Sequence, residues 1–325
     1  MRVFSLFFLF LLLVIRWSFA QQFNLLGDSG SESFVAVEYL PGGGFVVGGL
    51  SRAAGAGSDD ISLHFFDEDG KLRHCHYFGC ALSDQVFSLA VAKNGDILLG
   101  GQTHCASGTG NRAIIMRVDP YGRKLWKKTF HARAAYAIME VDDEKIAIAA
   151  SKDVPDKRAD FSLSLWQKNG NILWISTEGT IYKDYAFGLT TTADNGFLLG
   201  GIKNGFHSPE GHGYPIQDSD LLFIKYDQSG AFLWQKELGE AGHDFLNKML
   251  PSEDGNIYVV GSTQGHGKQS FDAFILKIDQ NANPVWQATF GGEDFEYGMD
   301  MCLDTAGNIL VCGVTNSNTG NQKTD

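Results

Sequence analysis

The sequence predicts an all-β protein, a β-propeller of about six four-stranded blades with the last blade incomplete. Three observations carry that prediction. A short apolar run closing on a small residue recurs along the chain. It reads F-V-V-G-G from Phe45, I-L-L-G-G from Ile97, I-A-I-A-A from Ile146, F-L-L-G-G from Phe197, I-Y-V-V-G from Ile257 and I-L-V-C-G from Ile309. Successive copies start 52, 49, 51, 60 and 52 residues apart. Each copy sits in a unit of four short apolar segments, none with helical spacing over the ~10 residues a helix wants. A lone four-stranded sheet has two apolar faces and cannot cover both, whereas blades stacked radially cover one another.

The second copy shows the unit most clearly. Its segments 87–92, 97–103, 113–118 and 124–130 are rich in branched and aromatic side chains and bounded by turn residues, so each reads as a strand. The first two are joined by A-K-N-G-D at 92–96, a tight hairpin with glycine where φ is often positive. The last two are joined by D-P-Y-G at 119–122, a type I turn with Asp first and Gly last. The turns at 67–70 and 227–230 repeat it, and those at 167–170 and 279–282 vary it. Four residues after the turn's last position stands a Trp in four copies: Trp126, Trp174, Trp234 and Trp286. These rings are expected on the outermost strands, largely buried between blades. His74 holds the position in the first copy, and Ala149 and Ala150 replace the glycine pair in the third, so those two blades are expected to be the least regular.

Residues 1–20 stand outside the repeats. Arg2, an apolar run from Val3 to Ile15, and Ser18-Phe19-Ala20 with small residues at a cleavage site read as a signal peptide, leaving 21–325 as the propeller. The run is short for a membrane span, which needs ~20 residues. A secreted or cell-surface location is expected, with no membrane span once the signal is removed. The net charge of −12 becomes −14 when Arg2 and Arg16 are lost. Such an acidic surface excludes nucleic acid and anionic membrane as partners.

With these phrases on the page, the chain resembles the exported β-propeller repeat proteins of bacteria and archaea, similar to SBBP repeats. The phrases that carry the likeness are G-N-I-Y-V-V-G from Gly255, D-A-F-I-L-K-I-D from Asp272 and L-W-Q-K-E-L-G from Leu233. The resemblance spans residues 22–325; it implies the fold and an exterior location, and it implies no activity.

Both ends of the repeat array invite an expectation. Residues 22–27 match the fourth-strand ending at 235–239 and are expected to supply the outer strand of the last blade. The sixth copy runs out after its second strand, so continuation of the native chain beyond Asp325 is expected, with no strand formed by 315–325.

Function has to come from what does not repeat. Antiparallel strands send their connections alternately to two faces. The second-to-third loops share one face with the links between blades, and the tight turns occupy the other. Only the fourth copy has a long second-to-third loop, 202–220, so the link face is expected to bind and the hairpin face to be structural. That loop carries His207, Glu210, His212 and Asp218 beside Asp220. Imidazole and carboxylate are metal-ligand types, but their spacing matches no metal motif, so no metal is assigned and no cofactor is indicated.

An acid recurs before the first strand of most blades, as Glu32, Asp84, Asp184, Asp244 and Glu296, with Ala135 at the place in the third. A second set, Asp60, Asp160, Asp220 and Asp272, precedes the third strand. Converging carboxylates would make an anionic ring; residues that repeat with the blade more often cap local turns. Asp184 and Asp244 are the acids assigned to a binding face. Five cysteines, Cys75, Cys80, Cys105, Cys302 and Cys312, leave at least one thiol unpaired within the chain. Cys75 with Cys80, and Cys302 with Cys312, are the candidate bridges.

No nucleophile elbow, zinc-protease helix or phosphate loop occurs. The expectation is a non-enzymatic binding or scaffold module for an extracellular glycan or protein. The alternative is an exported carbohydrate-active hydrolase or lyase using carboxylates such as Glu32, Asp184 and Asp244 with His212.

Overall fold

The structure is a computed structural model. It describes residues 32–52, 55, 57–105, 112–155, 158–203, 219–239, 241–265, 270–303 and 307–317. The segment 22–27, the long loop 204–218 with His207, Glu210, His212 and Asp218, and the end of the chain lie outside them.

The strands fall where the repeats put them. The first blade runs β1 (Glu32–Tyr39), β2 (Phe45–Ser51), β3 (Asp60–Phe66) and β4 (Leu72–Phe78), and the second β5 (Asp84–Val91), β6 (Ile97–Thr103), β7 (Arg112–Val118) and β8 (Lys124–Phe130). The third holds β9 (Ala134–Asp142), β10 (Lys145–Val154), β11 (Arg158–Gln167) and β12 (Ile172–Glu178). The fourth holds β13 (Tyr185–Thr191), β14 (Phe197–Lys203), β15 (Asp220–Tyr226) and β16 (Phe232–Leu238). The fifth holds β17 (Asp244–Pro251), β18 (Ile257–Thr263), β19 (Asp272–Ile278) and β20 (Pro284–Phe290), and β21 (Glu296–Leu303) pairs only with β22 (Ile309–Thr315). Every sheet is an antiparallel meander, so the protein is a propeller of five four-stranded blades plus an incomplete sixth. No helix among the described residues is long and apolar enough to cross a membrane.

The core explains why blades stack. Each of its four buried clusters draws on two neighbouring blades: Leu63 and Phe65 meet Leu89 and Leu99, Ile115 meets Ile148 and Trp166, Leu163 meets Leu199 and Leu222, and Phe223 meets Met249 and Val259. The sheet β21–β22 lacks a further blade to cover it, and Leu310, Val311 and Val314 are 54%, 40% and 55% exposed. The inner strands converge on the axis. Glu38 of β1 feels both Lys248 of β17 and Asp300 of β21, and burial outweighs the lysine and lifts its carboxyl above the ordinary range.

The glycine pair that marks each copy has a steric cause. The innermost strand carries a bulge opposite it, as between Ala186 and Gly188, and a Cβ on Gly201 would collide with the Tyr185 carbonyl oxygen. The tight turns carry a second repeated device. Arg117 pairs with Asp96 at 2.7 Å, Lys225 with Asp194 at 2.6 Å and Lys277 with Asp254 at 2.6 Å, each tying a third strand to the first hairpin of its blade.

Two expectations need correction. The first blade is as regular as its neighbours, although the third, as expected, is less so: β9 and β10 carry a second register shift, between Lys145 and Ile146, that the equivalent strand pairs lack. The four Trp side chains do hold equivalent places on outer strands, but Trp126, Trp174 and Trp234 are half-buried and Trp286 is 39% exposed. Each half-buried ring leans on the following blade, as when the Trp126 indole N–H donates to the Lys168 carbonyl at 2.9 Å. Trp286 has no such turn beside it among the described residues. Neither candidate cysteine pair forms. Cys80 joins Cys105 with Cα atoms 6.3 Å apart, and Cys75, Cys302 and Cys312 are free. The hairpin sets Leu303 opposite Ile309, and in that register Cys302 faces Leu310 and Cys312 faces Asp300.

Candidate functional site

The repeated acids sit inside the junctions between blades. Asp84 and Asp184 are fully buried, and Asp244 and Glu296 are nearly so. Both oxygens of Asp184 are engaged by Thr180, one by its backbone N–H and one by its hydroxyl at 3.0 Å. Glu296 accepts from the Gly292 N–H and from the Thr315 hydroxyl, both at 2.7 Å. These bonds, acting against burial, hold its carboxyl below the ordinary range. Of the second set, Asp60 accepts from the Gly57 N–H at 2.9 Å, and Asp160, Asp220 and Asp272 lie against Gly179, Gly239 and Gly291. These carboxylates brace the chain where one blade hands over to the next and form no open ring.

One junction departs from this rule, and the assignment of Ala135 to it needs correction. In the third blade Ala150 pairs with Ala135 as Gly101 pairs with Val86 in the second. Tyr136 is therefore the counterpart of Phe87, and Arg133, not Ala135, stands where Asp84 stands. The cause is a shorter link. Asp84, Asp184, Asp244 and Glu296 each come six residues after the preceding outer strand ends, whereas Arg133 comes three after Phe130. The partner position changes too, since Arg112 pairs with Thr103 as Asp60 pairs with Ser51 and Asp272 with Thr263. Two acids become two arginines. Their backbones meet at this junction, where the Ala113 N–H donates to the Ala132 carbonyl at 2.8 Å.

Around Arg133 the link face gathers aromatic side chains from three inner strands. The rings of Phe87 and Tyr136 are 5.2 Å apart, and those of Tyr136 and Phe187 are 5.0 Å apart. All three are half-buried, with part of each ring open to solvent. The Arg133 Nε–H donates to Asp153, a terminal N–H reaches the Tyr185 hydroxyl at 3.5 Å, and the guanidinium carbon lies 5.9 Å from the Tyr185 ring centre. Burial, with Tyr185 adding to it, pushes the Tyr136 phenol up to about 12, so it stays protonated and able to donate. A second aromatic group lies further round, where Phe271 is 5.4 Å from Phe245 and 5.5 Å from Tyr297. Apolar ring faces beside fixed hydrogen-bonding groups can cover the C–H face of a sugar while orienting its hydroxyls.

Sequence reasoning missed this constellation. Arg133 and Tyr136 belong to no motif, but the repeat register carries their signal: Arg133 stands at the same distance before Ala149-Ala150 as Asp84 stands before Gly100-Gly101. It brought Asp184 and Asp244 to the predicted face but not to solvent. The long loop's ends, Lys203 and Asp220, are at the same end of the fourth blade as Asp244, since Gly239 lies against both Asp220 and Asp244. The hairpin face is not featureless either. A cleft of about 600 Å³ opens there between the second and third blades, walled by Trp126, Arg117, Lys93, Asp96, Glu140 and Lys168.

No protein-family model matches the chain, and no curated protein matches it. Solved structures share its fold. The Pan2 WD40 domain of Neurospora crassa aligns with a TM-score of 0.50 and 12% identity over 86% of this chain and 70% of that one. A mutant of the Synechocystis apocarotenoid oxygenase aligns with a TM-score of 0.46 and 12% identity over 82% of this chain, which spans 63% of the oxygenase. An endo-arabinase from Bacteroides thetaiotaomicron aligns with a TM-score of 0.40 and 9% identity over 72% of this chain and 90% of that one. At such identities the likeness is one of fold alone.

Proposed function

We propose that the protein is an exported, non-enzymatic binding module that holds a saccharide on the link face of the propeller. The observation that carries this reading is the run of Phe87, Tyr136 and Phe187 around the entrance to the third blade, with Arg133 and Tyr185 beside it. Phe87, Tyr136 and Phe187 come from three inner strands, β5, β9 and β13. The buried, hydrogen-bonded state of Asp184 supports binding over hydrolysis, because a glycoside-cleaving pair needs carboxyls that reach the substrate. Export rests on the N-terminal signal pattern and agrees with the Cys80–Cys105 bridge, which suits an oxidising compartment. The resemblance to exported repeat proteins points the same way.

The test is a glycan array probed with the whole protein, alongside the Tyr136→Ala variant and hydrolysis assays on each retained saccharide. Retention that is lost in the variant, with the saccharide recovered intact, is the expected result. Cleavage of the saccharide would move the protein to the hydrolase or lyase alternative, and retention undiminished in the variant would place the site elsewhere.

A further inference from the structure

The junction between the second and third blades inverts charge at both of its equivalent positions, and its neighbours supply the control. Elsewhere the strand-three position holds Asp60, Asp160, Asp220 or Asp272 and the strand-one position holds Asp84, Asp184, Asp244 or Glu296. Here they hold Arg112 and Arg133. His131 is exposed and Lys152 half-buried in the same stretch, and the acid in direct contact with these groups is Asp153, on Arg133. In a chain whose net charge is −12, this is a local reversal.

The reversal adjoins the aromatic rings. Arg133 immediately precedes β9, and Tyr136 lies three residues beyond it on that strand. The guanidinium of Arg133 already accommodates one carboxylate, that of Asp153, and remains 34% exposed. Arg112 makes no ion pair with a described residue. Two guanidinium groups offer planar pairs of N–H donors that match a carboxylate better than any neutral group does. An acidic ligand is repelled by the rest of the surface, so binding would concentrate at this one junction.

Resting on the saccharide reading above, we infer that the ligand is a carboxylated saccharide, a uronic-acid-containing chain, with its carboxylate held between Arg112 and Arg133 and its sugar ring laid on Tyr136 and Phe87. The carboxylate sets the ligand's charge preference and the rings set its affinity for sugar. The two contributions are separable by substitution.

Calorimetric titration of the whole protein with an oligogalacturonate and with the neutral oligogalactose of equal length tests this. The acidic chain is expected to bind about tenfold tighter or more, the size of effect that one charge-assisted hydrogen-bonded contact supplies. Arg112→Gln should remove about that factor for the acidic chain and leave the neutral one unchanged, Arg133→Gln should weaken the acidic chain by about that factor more than the neutral one, and Tyr136→Ala weakens both. Arg112→Gln serves as the readout if Arg133→Gln unfolds, and the Lys variants at both positions should recover part of the preference. Equal binding of the two saccharides, or acidic binding indifferent to both arginines, would overturn the carboxylate inference and leave the saccharide reading standing. Binding of a sulfated galactan in preference to the oligogalacturonate would overturn the carboxylate assignment. Binding of neither saccharide would remove the saccharide reading itself.

Discussion

The Trp174 ring lies across Gly230 of the following blade, so close that a Cβ on the glycine would come within 2.6 Å of it. The neighbouring Ser176 hydroxyl donates to the Gly230 carbonyl, so strand β12 of one blade grips the turn between β15 and β16 of the next. Trp174→Ala should therefore cost about 2–3 kcal/mol, somewhat less than a fully buried large aromatic. Trp286 occupies the same place in its own blade but is 39% exposed, and Trp286→Ala should cost less than about 1 kcal/mol. Denaturant midpoints of the two variants, measured side by side, check the contrast; equal losses would show that the Trp acts within its own blade.

Gly230 should resist substitution for two reasons. Its φ is +83°, a left-handed conformation that costs a residue with a side chain about 1–2 kcal/mol. The Trp174 ring also fills the space a methyl group needs. Gly230→Ala is expected to destabilise by at least about 2 kcal/mol in thermal or urea unfolding. Gly255→Ala, with φ +80° and open space where the Cβ would go, should show only the backbone part.

Acid should unfold the protein through the hairpin ion pairs. Lys225, with Thr192 assisting, holds the Asp194 carboxyl down at about 2, and Lys277 lowers Asp254 in the same way. A carboxyl whose folded pKa lies below its unfolded value stabilises the fold at every pH above that unfolded value, and the contribution fades as pH falls towards the folded one. The contribution of these two pairs should be level above about pH 5 and decline between about pH 4 and pH 2. Asp194→Asn should flatten part of that decline, and a thermal midpoint that does not move over this interval in the native protein would contradict the assignment.

The Cys80–Cys105 bridge closes a loop across 25 residues and ties the first inter-blade link to the strand end leaving β6. Its reduction should lower stability by about 3 kcal/mol. Thiol titration of the unfolded, unreduced chain should count Cys75, Cys302 and Cys312 alone, with all 5 cysteines appearing after reduction. Five thiols without reduction would rule the bridge out.

What the sequence determined by itself was whatever is local and repeated. Runs such as 97–103 and 257–263 are short, apolar and bounded by turn residues, so strand, hairpin and blade were legible without a neighbour. The turn at 279–282 illustrates how much the pattern tolerates: Ala282 replaces the glycine and still adopts φ +54°. The candidate site was read only to the extent of its face. Arg133 was legible in the spacing and was overlooked: each acid stands as far before its small-residue pair as Arg133 stands before Ala149-Ala150, so Ala135 is the wrong counterpart.

Tertiary structure decided everything that depends on two blades at once. Trp286 and Trp174 are indistinguishable by sequence spacing, yet one leans on a following blade and the other does not. Cys302 and Cys312 flank one turn, yet the hairpin register offsets them by two residues, while Cys80 pairs with the distant Cys105. Phe87, Tyr136 and Phe187 are about fifty residues apart in the chain and become neighbours only because the blades stack radially about one axis. The physical reason is the same in each case: hydrogen-bonding patterns and turn preferences act over a few residues, whereas register, burial and the meeting of side chains across a junction are set by how rigid sheets pack.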